Sequence, residues 1–549
     1  MTSIPLQQPD IQAIQNTNQQ PQPTNHNQKK KETQDQQLIK IATQNHYCYD
    51  KLDACYVRLS GTNKLVNVDS KDFSGWITSE FFNQFKSLPN TSKMKMLHLF
   101  LHHHAKINGS LIKVNNRVAK ENNIIWIDLA DQQNHAVKVT ASGWEVVANP
   151  PVYFKTFSHM AALPVPAKDG NLAEVLPFLN ISNEQDTALL MAWLVVSLVP
   201  DIPRPFLWLI GGKDSGKTTS AAILKALIDP SNGRGLSLGN NPMEIAQQLD
   251  HNFLPFFDNF KSMPGAVSDM FCQGYSSGTV SKRALFTNAD DFQFDLSGSA
   301  IFACLKVPKG GGPDLIDRSI ILSLKSIENA ARKEERHLIE GFLYAQPRIF
   351  GGLLDVLVKT MRLKPSIHLE NLSRVADFQA WGVAASEAMG YDRQTFMNAL
   401  KENRNVQAKQ VNNNIPLLNE MLVFMNDKSY WQGYPSDLLE LLKSSVPIPA
   451  LLPKNAASFG KDIKQAVDHL NTRGIEVIIP NSNDGKGKLY RVVNHRFIDT
   501  PGTNNVNADA QDIMMDELIS NVIDAQEDGV LRDKDSGLRV EVSGPESHV

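Results

Sequence analysis

A short apolar run, followed at once by a glycine-rich loop and then by a helical pattern, constrains this chain more than any other feature. Residues 206–210, FLWLI, are wholly apolar, as in a strand buried on both faces of a parallel sheet. Residues 211–218, GGKDSGKT, match GxxxxGK[ST] at every fixed position, and residues 218–227 read as a helix. This succession predicts an α/β domain whose loop binds phosphate groups.

The residue types of the loop suit a nucleoside triphosphate. Glycines let backbone N–H groups turn toward phosphate oxygens, and the helix N-terminus adds the positive end of its dipole. Lys217 is placed to reach the outer phosphates, and the Thr218 hydroxyl can complete a Mg²⁺ shell. The expected cofactors are therefore ATP and Mg²⁺, and the residues expected to hold the nucleotide are Gly211, Gly212, Lys213, Asp214, Ser215, Gly216, Lys217, Thr218 and Thr219.

A second apolar run supplies a candidate acid for the metal. Residues 253–257, FLPFF, lead directly into Asp258, about 40 residues after the loop. Pro255 is unusual in a central strand, because it removes one hydrogen bond of the ladder. Asn259 stands where many ATPases place a glutamate base, and an amide cannot accept the proton, although it can still orient a water molecule. Thr218 and Asp258 are the predicted metal ligands.

Three further segments follow in order. Residues 279–297 predict a β-hairpin with Asn288, Ala289, Asp290 and Asp291 at its tip. Residues 299–305 predict another buried strand, and Arg318 precedes an apolar strand over residues 319–322. An arginine held at a strand end near the nucleotide can stabilise charge on a transferred phosphoryl group. A structural salt bridge between Arg318 and an aspartate of this segment is the alternative interpretation.

In this order the segments resemble the AAA+ ATPases of bacterial prophages and integrative elements, which are related to phage primase-helicases and superfamily 3 helicases. The resemblance rests on IIWIDLADQ (124–132), VTASGWEVVANPPVYF (139–154), LLMAWLV (189–195), the loop, FFDNF (256–260), SKRALFT (281–287) and PDLIDRSIILSL (313–324). It implies a ring-forming ATPase that acts on DNA, with Arg318 reaching the nucleotide of a neighbouring subunit. The candidate catalytic residues are then Lys217, Asp258, Asn259 and Arg318.

Two departures from this family pattern bear on hydrolysis. The strand after the hairpin has Ala303 where such proteins usually carry a polar sensor residue, and Asn259 replaces the usual base. ATP binding is therefore better supported than ATP hydrolysis. Because the hairpin tip is acidic, Lys282 and Arg283 on its first arm are better candidates for DNA contacts than the tip itself.

Residues 430–499 read as an independent module. A short helix over 436–442, a longer helix over 455–473 and two strands over 475–479 and 489–493 follow the order of a winged helix. Phe459, Ile463, Val467 and Leu470 recur at helical spacing on the second helix. DNA contacts are expected from Lys461, Lys464, Lys486, Lys488 and Arg491, although a winged helix used for protein contacts remains open.

The net charge of −3 over 549 residues conceals an uneven distribution. Residues 501–549 carry eleven acids and three basic residues, a net charge of −8, which leaves about +5 for the rest. The predicted organisation is a Gln/Asn-rich disordered tail (1–37), an α+β domain (38–170), an AAA+ core (171–326), a helical lid (327–427), a winged helix (428–499) and an acidic disordered tail (500–549). The four cysteines have no metal-ligand spacing, and no apolar run reaches the roughly 18 residues of a membrane span. We therefore expect a cytoplasmic protein with no membrane partner.

Two functions are compatible with these features. The first is a replication protein of a mobile element or prophage that uses Mg-ATP to translocate on DNA or remodel it. Its partners would be DNA, further copies of itself in a ring, most plausibly a hexamer, and other replication proteins. The second is a DNA-bound switch that assembles on binding ATP and hydrolyses it weakly or not at all, which Asn259 and Ala303 favour.

Overall fold

The computed structural model of the chain divides into two units, Met1–Lys113 and Val114–Val549. The residues that it describes are 32–59, 64–181, 183–276, 278–283, 291–296, 298–308, 310–328, 332–370, 372–414, 416–445, 452–471, 473–481 and 487–497. In these ranges the structure contains no helix with the length and apolar character that crossing a membrane requires.

The first unit is an α+β structure in which helices pack against a four-stranded sheet. Its elements are α1 (Gln34–Ala42), β1 (His46–Tyr49), β2 (Cys55–Arg58), β3 (Leu65–Asn67), α2 (Lys71–Phe85), α3 (Thr91–Asn108) and β4 (Ser110–Leu111). The sheet order is β3-β2-β1-β4, and only the pair β1 and β4 is parallel. Leu97, Leu101 and Ala105 face the core from α3 at a spacing of four residues.

The run of histidines on α3 does not form a metal site. His102 Nε2 lies 3.0 Å from Asp69 Oδ2, and His104 makes an edge-to-face contact with Tyr47. The described residues contain no group of three His, Cys, Asp or Glu side chains able to hold a metal ion. Residues close together on a helix point in different directions, which is why His102 and His104 contact different residues.

The second unit begins with an antiparallel meander. Its elements are β5 (Val114–Asn115), β6 (Val118–Glu121), β7 (Ile124–Asp128), β8 (His135–Thr140), β9 (Gly143–Ala148) and β10 (Tyr153–Phe154). The order β6-β7-β8-β9 follows the chain, and β5 pairs with β10 in parallel. Strands β7, β8 and β9 pair as consecutive antiparallel strands, and Ala141 and Ser142 form the turn between β8 and β9.

One parallel sheet forms the centre of the second unit. The elements around it are a 3-10 helix (Leu172–Phe178), α4 (Glu184–Ser197), β11 (Phe206–Gly211), α5 (Lys217–Ile228), α6 (Pro242–His251), β12 (Phe256–Asp258), α7 (Gly265–Tyr275), β13 (Thr279–Arg283), β14 (Asp291–Asp295), β15 (Ile301–Cys304), α8 (Pro313–Asp317) and β16 (Ser319–Leu324). The sheet order is β12-β15-β11-β16, with every pair parallel. Helices cover it, which explains why its strands are almost continuously apolar.

Both outer strands of this sheet have hydrogen-bond partners on their outer side: the backbone of Leu236 pairs with β12, and a side-chain amide contacts β16. Pro255 precedes β12, an outer strand, so the proline removes no hydrogen bond from the centre of the sheet. On the other side, Asn403 donates to the carbonyl of Ile321 at 2.7 Å and accepts from its N–H at 3.1 Å. A side-chain amide thus satisfies the backbone of β16 where a further strand would otherwise pair.

A helical region follows the sheet. It contains α9 (Glu335–Leu363), a 3-10 helix (Lys364–Ser366), α10 (Ala376–Ala388), α11 (Arg393–Asn414) and α12 (Pro416–Phe424). Helix α10 packs against α4 and α9, and α11 packs against α4 and β16. Helix α9 also contacts β8 and β9 of the meander, and Trp144 donates from Nε1 to Asp355 at 2.7 Å. Residues 114–170 therefore lie in the second unit. The domain borders given by the sequence analysis remain predictions.

The last described elements are β17 (Tyr430–Gly433), α13 (Pro435–Ser445), α14 (Ala456–Asn471), β18 (Ile475–Ile478), β19 (Tyr490–Asn494) and a 3-10 helix (His495–Phe497). The predicted order of two helices and two strands is confirmed, and β17 adds a strand that we did not predict. The antiparallel sheet has the order β17-β19-β18. Phe459, Ile463 and Leu470 of α14 are fully buried, as their spacing indicated.

A buried ionic network connects the meander to the end of α5. Arg117 donates from Nε to Asp229 Oδ1 at 2.9 Å, and Lys225 Nζ lies 3.1 Å from Asp229 Oδ2. The same carboxylate accepts the N–H of Leu254 at 3.0 Å, just before β12. Burial alone would raise the pKa of Asp229, but Lys225 and Arg117 hold it well below its usual range. All three charged side chains are at most 5% exposed.

We expect Asp229→Asn to lower the free energy of unfolding of the second unit by about 3–5 kcal/mol, because it leaves two buried cations without their anion. Chemical denaturation measures this at neutral pH. The difference from wild type should be present above about pH 4 and shrink as the pH falls, since the native carboxylate then becomes protonated. Glu340→Gln, which breaks an exposed pair with Arg336, is the matched control and should cost less than about 1 kcal/mol. Equal losses in the two variants would contradict the role of the network.

Candidate functional site

The loop between β11 and α5 has a backbone that requires glycine at two positions. Gly216, the residue before α5, has a φ of 69°, in the left-handed region that glycine adopts most easily. A Cβ atom on Gly211 would lie 2.6 Å from the carbonyl oxygen of Leu324 and 2.7 Å from Ser215 Oγ. Because Gly216 has no side chain to cap the helix, the first-turn N–H groups of α5 face the loop and can receive an anion.

Contacts from distant segments fix the shape of the loop. Asn180 donates from Nδ2 to the carbonyl of Ser215 at 2.9 Å and to that of Lys325 at 2.7 Å. The N–H of Ile327 donates to the carbonyl of Asp214 at 2.9 Å. Within the loop, Lys217 Nζ donates to the carbonyl of Gly212 at 3.0 Å. The ammonium group therefore lies inside the curve of the loop, where phosphate oxygens would be bound.

A hydroxyl and a carboxylate meet beside this loop. Thr218, in the first turn of α5, donates from Oγ1 to Asp258 Oδ1 at 3.2 Å. Asp258 ends β12, and Thr218 follows the carboxyl end of β11, so both lie at the same edge of the parallel sheet. Hydroxyl and carboxylate oxygens are ligands that Mg²⁺ accepts, with phosphate oxygens and water completing its octahedron. The two predicted metal ligands are thus brought together.

The two departures from the family pattern occupy defined places. The N–H of Asn259 donates to the carbonyl of Ala303 at 3.0 Å, and Ala303 lies opposite Asp258 in the register of β12 and β15. Ala303 is fully buried and contributes only a methyl group. The next residue, Cys304, is close to the loop, and burial raises the pKa of its thiol to about 12, so the thiol is neutral. None of these three residues can act as a carboxylate base.

Arg318 lies at the edge of the sheet opposite the loop of its own chain. It precedes β16, and Ser319 is paired with Phe206 at the start of β11, whereas the loop follows the end of β11. The five residue steps between Ser319 and Leu324 span roughly 17 Å. Arg318 pairs with Asp314 Oδ2 at 2.5 Å, and its guanidinium lies 5.6 Å from the centre of the Tyr275 ring. The Asp–Arg salt bridge of the alternative interpretation is thus observed, with Asp314 as the partner.

The residues proposed for DNA contact fall into two regions. Lys282 and Arg283 lie on β13, opposite Phe292 and Asp291 of β14. Asp291 is therefore within the strand and not at the hairpin tip. Residues 284–290 lie outside the described residues, and the side chains of Lys282 and Arg283 are not described either. In the last module, Lys461 and Lys464 are exposed on α14, and Lys488 and Arg491 are partly exposed. Lys486 is outside the described residues.

Sequence reasoning missed the residues that support the loop from a distance. Asn180 is 35 residues from its partner Ser215, and no local pattern distinguishes it from other asparagines. Thr219, predicted to bind nucleotide, points to Glu335 Oε1 at 3.4 Å, and Arg234 pairs with the same carboxylate at 2.9 Å. These contacts connect α5 to the start of α9.

Residues 172–405 match the family of actinomycete integrative conjugative element replication proteins, a stretch of less than half of the chain. The chain also aligns with two solved structures. With the "A form apo structure of NrS-1 C terminal region" it has 11% identity and a TM-score of 0.35, covering 84% of this chain and 99% of that one. With "SCCmec type IV Cch – active helicase" it has 10% identity and a TM-score of 0.41, covering 82% and 93%. No curated protein matches the chain. The region that contains the loop is thus similar to replication proteins of mobile elements.

Proposed function

We propose that this chain is an ATP-binding replication protein of a mobile element, which uses Mg-ATP to translocate on DNA or remodel it. The observation that carries the proposal is the contact between Thr218 and Asp258 beside a loop that encloses the ammonium group of Lys217. The match of residues 172–405 to a family of replication proteins supports the same conclusion independently. The four-stranded parallel sheet with its helical region would be an AAA+ core and lid.

In this proposal each residue of the loop has a distinct task. Lys217 would exchange its internal bond to Gly212 for the outer phosphates, and the N–H groups at the start of α5 would bind the inner ones. Thr218 and Asp258 would hold Mg²⁺, which neutralises phosphate charge when it is bound. Asn259, next to Asp258, would orient the attacking water through its amide.

The second candidate function is an ATP-dependent assembly switch on DNA. The amide of Asn259 and the methyl group of Ala303 lie beside Asp258, and neither group can accept a proton. Binding would then persist while turnover is slow. The two functions differ in one measurable property, the rate of ATP hydrolysis in the presence of DNA.

Two parts of the structure support action on DNA by an oligomer. Arg318 lies at the sheet edge opposite the loop of its own chain, so it would act on the nucleotide of a neighbouring subunit, as in a ring, with a hexamer favoured. The strand, two helices and two strands from Tyr430 to Asn494 would be a winged helix that places α14 on DNA. Other replication proteins are further proposed partners.

The test is ATP hydrolysis by the full chain with Mg²⁺, measured without DNA and with single-stranded or duplex DNA. We expect turnover that DNA stimulates. If ATP binds but no turnover occurs with either form of DNA at any salt concentration, the motor function is wrong and the switch is retained. If ATP does not bind, both functions fail.

A further inference from the structure

A cavity lined by cationic side chains lies far from the phosphate loop. It has a volume of about 450 Å³ and opens at the amino edge of the parallel sheet, where β16 begins. Its walls come from the start of β16, the residues before α10, one face of α11 and the end of α14. The cavity therefore joins the helical region to the helix that we propose lies on DNA.

Arginines dominate the charged lining of this cavity. Arg374, Arg404 and Arg473 line it together with one carboxylate, Asp317, and His469 adds an imidazole. Burial raises the pKa of Asp317, and the nearby Arg374 acts in the opposite direction. A half-enclosed space lined by arginines attracts an anion more strongly than the same groups on an open surface would.

The individual groups suit a phosphate attached to a sugar. Arg404 is exposed and has no ion-pair partner among the described residues, so its guanidinium is available to a ligand. The hydroxyl oxygen of Ser373 is buried and has no hydrogen-bond partner among the same residues. Leu400, Val411 and Ile320 supply an apolar floor. Cationic and hydroxyl groups above an apolar surface match an esterified phosphate better than a free ion.

We propose that this cavity binds a backbone phosphate of the DNA strand that α14 contacts. The inference rests on the proposed function, because it takes DNA as the substrate. Lys461 and Lys464 are exposed on α14, and His469, on the same helix, lines the cavity. From Lys461 to His469 the helix rises about 12 Å. A DNA strand carries a phosphate about every 3.4 Å along the duplex axis, so one strand can contact both ends of this helix.

A free nucleotide is the competing ligand of the same phosphate chemistry. Arg374 also pairs with Asp314 at 2.8 Å, and Asp314 holds Arg318, so this edge of the sheet would be close to the nucleotide of a neighbouring subunit. If the cavity served that nucleotide, removing one of its charges would slow ATP turnover and leave DNA affinity unchanged. The experiment therefore measures both properties on each variant.

The test compares Arg404→Gln with Lys409→Gln in the full chain. Both residues are exposed on α11 and each change removes one positive charge, but only Arg404 lines the cavity. Fluorescence anisotropy with labelled single-stranded and duplex oligonucleotides gives the dissociation constant across about 50–200 mM salt. We expect Arg404→Gln to weaken DNA binding about fivefold to tenfold, and to reduce the slope of log affinity against log salt by about one. Lys409→Gln should bind as wild type does.

Three results would overturn this inference in different ways. If Arg404→Gln keeps the wild-type affinity and salt slope while Lys464→Gln binds DNA more weakly, the DNA lies on α14 and does not enter the cavity. Unchanged DNA affinity with slower ATP turnover would assign the cavity to a nucleotide. If wild-type protein binds no DNA while it still binds ATP, the proposed action on DNA fails together with the cavity. Equal melting temperatures of the variants confirm that each is folded.

Discussion

Replacing Lys217 by alanine should abolish ATP hydrolysis, with a fall of at least about a hundredfold relative to wild type. The ammonium group lies inside the loop, 3.0 Å from the carbonyl of Gly212, and would be the positive charge closest to the outer phosphates. Without it, the charge that develops on the transferred phosphoryl group lacks its main electrostatic partner in the loop. Steady-state phosphate release with saturating DNA measures the effect.

The control for this experiment is Lys359→Ala, which removes an exposed lysine from α9, away from the loop. It should retain wild-type turnover. Turnover that survives in Lys217→Ala would contradict the assignment of this loop as the catalytic phosphate site. ATP binding, measured separately with a fluorescent analogue, should also weaken in Lys217→Ala, because the same ammonium group would contact the bound nucleotide.

Replacing Arg318 by alanine should lower turnover about a thousandfold while ATP affinity stays close to wild type. Arg318 precedes β16 at the edge opposite the loop, so a nucleotide bound in the loop of its own subunit would be beyond its reach. Asp314 and the face of the Tyr275 ring hold its guanidinium in place. A guanidinium held in this way is preorganised, unlike that of a mobile surface arginine. Arg336→Ala, at an exposed position on α9, is the matched control and should leave turnover unchanged.

Mixing two inactive variants tests whether Arg318 acts between subunits. In mixed rings of Arg318→Ala and Lys217→Ala, some interfaces combine an intact loop from one subunit with an intact arginine from the next. With random assembly of equal amounts, about a quarter of the sites would be complete, and turnover should recover accordingly. No recovery in rings shown to be mixed would contradict action across the interface. A large loss of stability in Arg318→Ala would mark the residue as structural.

The central elements of the site could be predicted because neighbouring residues specify them. The apolar run before residue 211, the glycine pattern and the helical pattern after it place the loop between β11 and α5, as observed. Asp258 follows an apolar run, and residues that follow strands of a parallel sheet share one edge. The spacing of Phe459, Ile463 and Leu470 likewise gives the buried face of α14.

Other features depend on which distant segments meet. Arg117 and Asp229 are 112 residues apart, and each looks like an ordinary surface charge until the meander packs beside α5. Asn403 reads as one polar residue on a helix, yet it completes the hydrogen bonding of β16, 82 residues away. The cavity around Arg404 combines β16, α11 and α14, and no local pattern relates these three elements.

The order of the elements and the chemistry of the loop follow from the sequence, because hydrophobic period, glycine and charge act over a few neighbouring residues. The edge of the sheet on which each group lies depends instead on how the strands pair. The strands around Arg318 illustrate this: β13 and β14 are antiparallel, whereas β15 and β16 are parallel to β11. Strand direction follows from which long-range pairing buries the most apolar surface, and that separates Arg318 from Lys217 within one subunit.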